Sequence, residues 1–561
     1  MFPLCLGFTW TVVPCSATDR PAFCQGRNAK RGRMILDPPA AGPSVVDRLE
    51  VVDLEAALGG PVARASHLAT SRWAARWGWV PIVAVTTAVV RVPLLGLPLD
   101  PDEGGYAYVA HRWAAGAQLY TTAAWVDRPP ALMLVFRWIT DLSYSPIALR
   151  LAAVLAAMVV ALGAGACART LAGPRAGLVA GLLAGVVLAG PFVEGYQLNG
   201  ELLASAVGTW GVAVAVMWRQ GERSAERQGE RARRRSTGWL LLAGVLAGTA
   251  PLVKQSAIDA LVAVLAVAVA HAVRTRRPHA LVASSVGAAV PLVLAVAWGA
   301  STGWSRAWYA VVAFQAQVAQ SQSLGHRVGQ LASSVRHVLP DLLGLLVAAT
   351  VAAVLLVRQG RRLWPVPVWL AAAVLAAATG PFGHPHYWVQ AVAPLSVLAA
   401  SAVPSIAQMD RRLRRVAITA LAAAVLIPVV GQVVVLARPA ASRPVLLTGD
   451  RRQAADTAIA DWLRAHDPVA GQVFAFVGAA ETYLDSGRGT GYPYLWYEPV
   501  QHVPGALPML GRWLASNAGP RYVVVFQSPR TVDPSGLLTR ILARDYTLAV
   551  TIDGYRILAR R

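Results

Sequence analysis

Residues 148–168 read ALRLAAVLAAMVVALGAGACA and form a run that is apolar except for Arg150. The run matches the ~20 residues that a helix needs to cross a bilayer. It is followed almost at once by a second run, PRAGLVAGLLAGVVLAGPF at 174–192. The close succession of two such runs predicts adjacent membrane-spanning helices rather than one buried helix of a soluble protein.

Runs of the same kind recur along most of the chain. The sequence is 56% hydrophobic and 14% charged, whereas soluble domains carry about 25% charged residues. These features predict an all-α polytopic membrane protein with about eleven transmembrane helices. The predicted spans are 78–97, 148–168, 174–192, 202–218, 237–252, 256–273, 279–298, 338–357, 364–380, 388–404 and 416–437.

The basic residues give the predicted orientation. The net charge is +22, which by itself would also fit a nucleic-acid-binding protein. Most arginines, however, cluster in every second gap between the spans, as cytoplasmic anchors do. We therefore predict a multi-pass protein of the plasma (inner) membrane with a cytoplasmic N-terminus, and no nucleic-acid partner.

Three regions follow from this pattern. Residues 1–75 are predicted to be a disordered cytoplasmic segment, and residues 76–437 the transmembrane domain, whose first outer loop is 98–147. Residues 438–561 lose the membrane character. They alternate helical patterns (450–466, 506–516) with short apolar runs (473–477, 522–526), and a final strand pair is predicted around 546–559. This alternation predicts a small extracytoplasmic α/β domain.

The first outer loop concentrates acidic residues where the first span ends. It contains Asp100-Pro101-Asp102-Glu103 and then Tyr106, at the start of a predicted interfacial helix. A simpler interpretation is a solvated loop in which an Asp caps a helix. Asp100 suits a turn because it precedes a proline.

Four further polar groups fall on the same predicted outer side. Glu201 begins the fourth span, where an acid also suits the helix dipole. Lys254 precedes the sixth span, and a pair with Asp259 would be as consistent with a structural role as with phosphate binding. The remaining candidates are Asp127 and Arg128 in the first loop, and His386, Tyr387 and Gln390 before the tenth span. The His384–His386 spacing is weak evidence for a metal site, and contacts to a ligand are favoured.

The convergence of these groups is the main functional signal. Carboxylates can take a proton from a hydroxyl group, and Arg or Lys can hold a phosphate. The four cysteines show no metal-ligand spacing. We assign no metal ligands, although Asp102 and Glu103 could hold a divalent cation through oxygen; the cofactor is otherwise unknown.

These residues resemble the GT-C membrane glycosyltransferases, in the branch of protein O-mannosyltransferases and the lipid A aminoarabinose transferase. That branch has an acidic motif, a Tyr-Ala pair and an acid-Lys-Pro-Pro element in its first outer loop. Here these correspond to Asp102-Glu103, Tyr106-Ala107 and Asp127-Arg128-Pro129-Pro130, with Arg128 in place of the usual Lys. Later elements match at Asn199-Gly200-Glu201 and at His386-Tyr387, which are followed by Gln390 and Pro394.

The resemblance implies transfer of a sugar from a polyprenyl-phosphate donor to a lipid, glycan or protein acceptor on the outer face. Asp102 would be the general base or would orient the acceptor, assisted by Glu103, and Glu201 would be a second acid. Arg128 and Lys254 would contact the donor phosphate, and Tyr106, Asp127, His386, Tyr387 and Gln390 would bind substrate.

Two other functions compete with this one. A lipid or solute transporter or flippase would explain the spans, but it predicts acids near the middle of the bilayer and repeated halves. The candidate acids instead lie at one face, and we see no repeat. A non-catalytic scaffold that binds cell-wall glycan would not need clustered acids.

Overall fold

The computed structural model describes residues 77–225, 230–360, 364–380, 382–467 and 472–561, without the side chains of 223–236. The described residues belong to one compact unit. The predicted disordered segment 1–75 lies outside the described residues and stays a prediction.

Helices dominate the part of the chain before residue 437, as predicted. Short 3₁₀ turns occur at Val92–Leu94, Pro385–Trp388, Val403–Gln408 and Ala440–Ser442, and a π-helical turn at Tyr309–Ala313. The α-helices are α1 (Trp79–Val89), α2 (Pro101–Ala114), α3 (Pro130–Leu142), α4 (Pro146–Ala172), α5 (Pro174–Val187), α6 (Gly200–Ala225), α7 (Glu230–Val253), α8 (Asp259–Thr275), α9 (His279–Thr302), α10 (Trp304–Trp308), α11 (Phe314–Ser321), α12 (Leu324–Arg358), α13 (Pro365–Thr379), α14 (Val389–Ala400) and α15 (Arg411–Leu436).

Each predicted span overlaps a helix. Within the described residues, six helices are long and apolar enough to cross a membrane, and four shorter apolar helices accompany them. The number of spans and their orientation stay predictions. The interior is built from small residues, which allow helices to approach closely. A Cβ on Gly244 or Gly287 would lie 2.1 Å from a backbone oxygen of the facing helix, so glycine is required where α7 crosses α9.

The chain after residue 437 forms a small sheet with helices. Its helices are α16 (Arg443–Thr448), α17 (Arg452–His466), α18 (Glu481–Ser486), α19 (Tyr497–His502), α20 (Ala506–Ala515), α21 (Pro529–Val532) and α22 (Leu537–Asp545). The strands β1 (Val473–Phe476), β2 (Tyr522–Val525), β3 (Tyr546–Ile552) and β4 (Tyr555–Arg560) are arranged in the order β1-β2-β4-β3.

The two central strands coincide with the predicted apolar runs. β1 and β2 are parallel and fully buried, whereas β4 pairs antiparallel with both β2 and β3. Burial of both faces explains why these runs are continuously apolar rather than alternating. The strands and the helices α17 and α20 of this region were therefore predicted correctly and its other helices were not. Its status as a separate extracytoplasmic domain stays a prediction.

Helix α2 joins the first loop to this C-terminal region. The backbone of α2 touches α18 at Gly104, and the Tyr108 ring lies 5.0 Å from that of Tyr483. Arg112 Nη1 donates to the carbonyl of Thr490 at 2.8 Å. The acidic motif is thus fixed between the helical bundle and the sheet region.

Candidate active site

Asp100 starts helix α2 and caps it. Its carboxylate accepts from the backbone N–H of Asp102 at 2.9 Å, and Glu103 accepts in return from the N–H of Asp100 at 3.1 Å. This reciprocal arrangement is a capping box, with Pro101 at the first helical position. The simpler interpretation of an Asp helix cap is therefore correct for Asp100.

Asp102 belongs to a second, more open network. The Tyr106 hydroxyl, one turn later on α2, donates to Asp102 at 2.7 Å. Arg128 Nε donates to Tyr106 Oη at 2.6 Å, and Arg128 Nη1 contacts Asp127 at 2.6 Å. Arg128 Nη2 lies 3.6 Å from Asp102. The guanidinium thus directs three different nitrogens toward three predicted site residues. Gln315 Nε2 also donates a hydrogen bond to the Asp127 carboxylate at 2.5 Å.

The pKa values of the two neighbouring acids, Asp100 and Asp102, shift in opposite directions. Burial raises the pKa of Asp100 to about 8, assisted by the negative charges of Asp102 and Glu194. Burial also acts to raise the pKa of Asp102, but Arg128 and the Tyr106 hydroxyl hold it below its ordinary value. Of the two, Asp102 is therefore the stronger acid and the one that more readily carries the negative charge.

Glu103 points away from Asp102 and into the protein. Its Oε1 accepts from Arg150 Nη1 at 2.9 Å and from the N–H of Leu198 at 2.7 Å. Glu103 is 1% exposed and Arg150 2% exposed. Arg150 also donates to the carbonyl of Pro98 at 2.5 Å. The ion pair ties the first loop to α4, and the hydrogen bond from Leu198 ties it to the second outer loop. Glu103 therefore holds in place the backbone that carries Asp102.

Glu201 and Lys254 form an ion pair at 2.9 Å behind the first network. His386 lies 4.0 Å from the other oxygen of Glu201, and its Nδ1 is 2.9 Å from Glu194. Glu194 has a backbone φ of +54°, a strained conformation of a kind that clusters at functional sites. Three segments far apart in sequence therefore meet here through charged side chains: the one that carries Glu194 and Glu201, and those of Lys254 and His386.

The remaining predicted residues lie deeper. Lys254 Nζ stands 5.0 Å from the centre of the Tyr387 ring. Gln390 is 2% exposed, and its side-chain amide has no hydrogen-bond partner among the described residues. The considered pair of Lys254 with Asp259 does not form, because Asp259 accepts from Trp369 Nε1 at 2.8 Å and Lys254 pairs with Glu201 instead.

A cavity of about 690 Å³ opens in front of these networks. Its volume falls in the usual range for small-molecule sites. The helical bundle contributes Asp102, Asp127, Arg128 and His386, and the C-terminal region contributes among others Arg452, Trp496 and Glu498. Asp102 is 27% exposed, so its carboxylate is accessible to a molecule in the cavity. Glu103, Glu201 and Lys254 do not line it. A divalent cation at Asp102 and Glu103 stays a prediction.

Several residues that shape the site were not predicted. Asp341 accepts from the N–H groups of Phe192 and Val193 at 2.6 and 2.8 Å, and Arg91 donates to the carbonyls of Leu188 and Gly195. Both residues brace the loop that carries Glu194. An ionisable residue inside an apolar run was the available signal. No sequence signal marks Trp496 and Glu498, because long-range packing brings them to the cavity.

The fold is that of the GT-C membrane glycosyltransferases, as the resemblance implied. No protein-family model and no curated protein matches the chain. Among solved structures, it is similar to ArnT from Cupriavidus metallidurans bound to undecaprenyl phosphate. The TM-score is 0.61 at 18% identity, over 86% of this chain and 98% of that one. The apo state of the same protein gives 0.57 at 16% identity over the same shares.

A more distant similarity is to the archaeal oligosaccharyltransferase AglB from Archaeoglobus fulgidus, in complex with an inhibitory peptide and a dolichol-phosphate. There the TM-score is 0.48 at 12% identity, over 81% of this chain and 70% of that one. Identities this low establish the fold alone, so substrate and reaction have to be argued from the site itself.

Proposed function

We propose that this protein transfers a sugar from a polyprenyl-phosphate-linked donor to a lipid, glycan or protein acceptor at the outer face of the membrane. One observation carries the proposal: an accessible carboxylate, Asp102, lies beside a fixed cation, Arg128, at a cavity between the bundle and the C-terminal region. The presence of undecaprenyl phosphate in a protein of the same fold supports the class of donor.

The transfer itself needs one base and one phosphate-binding cation. Asp102 would take the proton of the acceptor hydroxyl while the acceptor oxygen bonds to the anomeric carbon of the sugar. The bond from that carbon to the phosphate oxygen breaks, and the polyprenyl phosphate leaves with the electron pair. Arg128 would stabilise the departing phosphate, because a guanidinium donates two parallel hydrogen bonds to phosphate oxygens.

The deeper ion pair fits a supporting role. Lys254 is 11% exposed and Glu201 1% exposed, so this pair would act through His386, which does line the cavity. Glu201 would orient the acceptor by way of His386, and Lys254 would add positive potential for the donor phosphate. Tyr387 and Gln390 would shape the floor of the same pocket. Glu103 would serve as a positioning residue rather than a second base.

The test is transfer of a labelled sugar in membranes that contain measured amounts of each variant. Asp102→Asn removes the base while keeping the shape of the side chain, and we expect the rate to fall about 10²–10⁴-fold. Glu201→Gln should also lower it. Asp141→Asn is the matched control, because Asp141 is 49% exposed on α3 and, among the described residues, its ion pair is with Arg137 on the same helix surface.

Full activity of both Asp102→Asn and Glu201→Gln at normal expression would refute the proposal. Mass spectrometry of lipid-linked sugars and envelope glycans from a deletion strain would name the donor and the product. If the protein instead moved an intact lipid across the membrane, vesicles would show translocation with no glycosidic bond formed.

A further inference from the structure

We propose a metal site on the opposite end of the bundle from the candidate active site, formed by Glu222, His271 and His279. It would bind a divalent transition metal, foremost Zn²⁺. One ligand atom from each residue lies within 4.8 Å of the others. No part of the proposed transfer reaction uses these three residues.

The three residues come from three helices. Glu222 lies near the end of α6, His271 in the last turns of α8, and His279 is the first residue of α9. Glu222 is 21 residues after Glu201 on the same helix, a distance of about 30 Å at 1.5 Å per residue. The cluster is thus remote from the cavity, and by the charge pattern it lies toward the cytoplasm.

The chemistry of the ligands favours zinc. Two imidazoles and one carboxylate form a set that Zn²⁺ accepts, with bonds of about 2.0–2.2 Å and a fourth position for water. In a tetrahedral arrangement such ligands lie roughly 3.3–3.5 Å apart. Small side-chain rotations would therefore bring the present arrangement to that spacing. The His271 and His279 rings are already 5.2 Å apart at 85°.

Burial gives the second, independent reason. Glu222 is 4% exposed, and its Oε2 has no hydrogen-bond partner among the described residues; the same holds for His279 Nε2. A buried carboxylate oxygen without a hydrogen-bond partner is costly, and a cation bound to it removes that cost. The Trp218 ring packs edge-on against His271 at 4.9 Å, which restricts the orientation of the imidazole. The metal would join the end of α6 to the turn between α8 and α9.

The test uses the full-length protein, purified in detergent and stripped with a chelator. Titration with Zn²⁺ against a chromophoric competitor should give one tight site per chain. His271→Ala combined with His279→Ala should weaken binding by at least about 100-fold, whereas His466→Ala, an exposed histidine in α17, should leave it unchanged.

The visible absorption spectrum of bound Co²⁺ distinguishes loss of a ligand from misfolding of the variant. Co²⁺ in this site should give the intense visible absorption of a four-coordinate ion. His279→Cys should add a thiolate-to-cobalt charge-transfer band, because residue 279 would then be a sulfur ligand. Absence of stoichiometric Zn²⁺ binding, or equal binding by the double variant, would overturn the proposal. So would a cobalt spectrum unchanged by His279→Cys.

Discussion

Replacing Gly104 by alanine tests whether the contact between α2 and α18 positions Asp102, the proposed base. A Cβ at Gly104 would lie 2.3 Å from the Cα and 3.0 Å from the backbone N of Glu481. Because both are backbone atoms, no side-chain rotation relieves the clash. The two helices would have to separate by about 1 Å to reach an ordinary contact distance of 3.4 Å. Asp102 lies only two residues earlier on α2 and would move with it.

The expected effect has two parts. Overpacking costs about 1–3 kcal/mol, from which the better helix propensity of alanine subtracts about 1 kcal/mol. Stability should therefore fall by no more than about 2 kcal/mol. A displacement of about 1 Å at a reacting group can cost roughly 100-fold in rate, so we expect transfer to fall about 10- to 100-fold in a protein that still folds.

Gly329→Ala is the matched control. Gly329 lies in α12, and nothing lies within 4 Å of the position of its Cβ. The chemical change is the same, but there is no clash, so activity should be unchanged. The assay is transfer of labelled sugar in membranes at matched expression, with limited proteolysis to follow the C-terminal region. Equal activity of the two variants would refute the claim that this contact sets the position of Asp102.

Three other predictions follow from single contacts. Glu103→Ala leaves Arg150 as a buried, unpaired charge and should lower the free energy of unfolding by about 3–5 kcal/mol in thermal or denaturant melts; a loss under about 1 kcal/mol would contradict the positioning role. Burial and the negative charge of Asp456 raise the pKa of Glu481 well above its ordinary value. The folded state therefore holds this proton more tightly, and stability should fall as pH rises above the unfolded value of about 4.3. Glu481→Gln should flatten that slope in melting temperatures measured from pH 4 to 9, and an unchanged slope would exclude Glu481 as its source. Arg128→Lys keeps the charge but cannot reach all three partners of the guanidinium, so the transfer rate should fall at least about 10-fold; a rate equal to wild type would show that only the charge matters.

The sequence predicted more of the fold than of the site. Spans were recognisable because bilayer thickness dictates their length, and β1 and β2 because buried strands are continuously apolar. Asp102, Arg128 and His386 were predicted as site residues because charged groups beside a membrane usually have a function. The structure brings these three to one cavity.

Other features could not be predicted from local pattern. Asp102 and Glu103 are adjacent in sequence, yet successive side chains on a helix point about 100° apart, so one faces the cavity and the other faces Arg150. The partner of Lys254 was also not predictable, because Asp259 was nearer in sequence than Glu201. Which acid it meets depends on the packing of α6 against α7, a long-range property.

The arrangement of charges couples binding of the donor phosphate to deprotonation of the acceptor, the two steps of the proposed reaction. Arg128 lies beside Asp102 and Asp127 in this structure, so a donor phosphate has to compete with those carboxylates for the guanidinium. If the phosphate takes over Arg128, Asp102 loses the positive charge that holds its pKa low, and its basicity rises. Donor binding would then create the base that the acceptor needs. A carboxylate released only in this way could not deprotonate an acceptor before the sugar is in place, and this order would protect the lipid-linked donor from untimely hydrolysis.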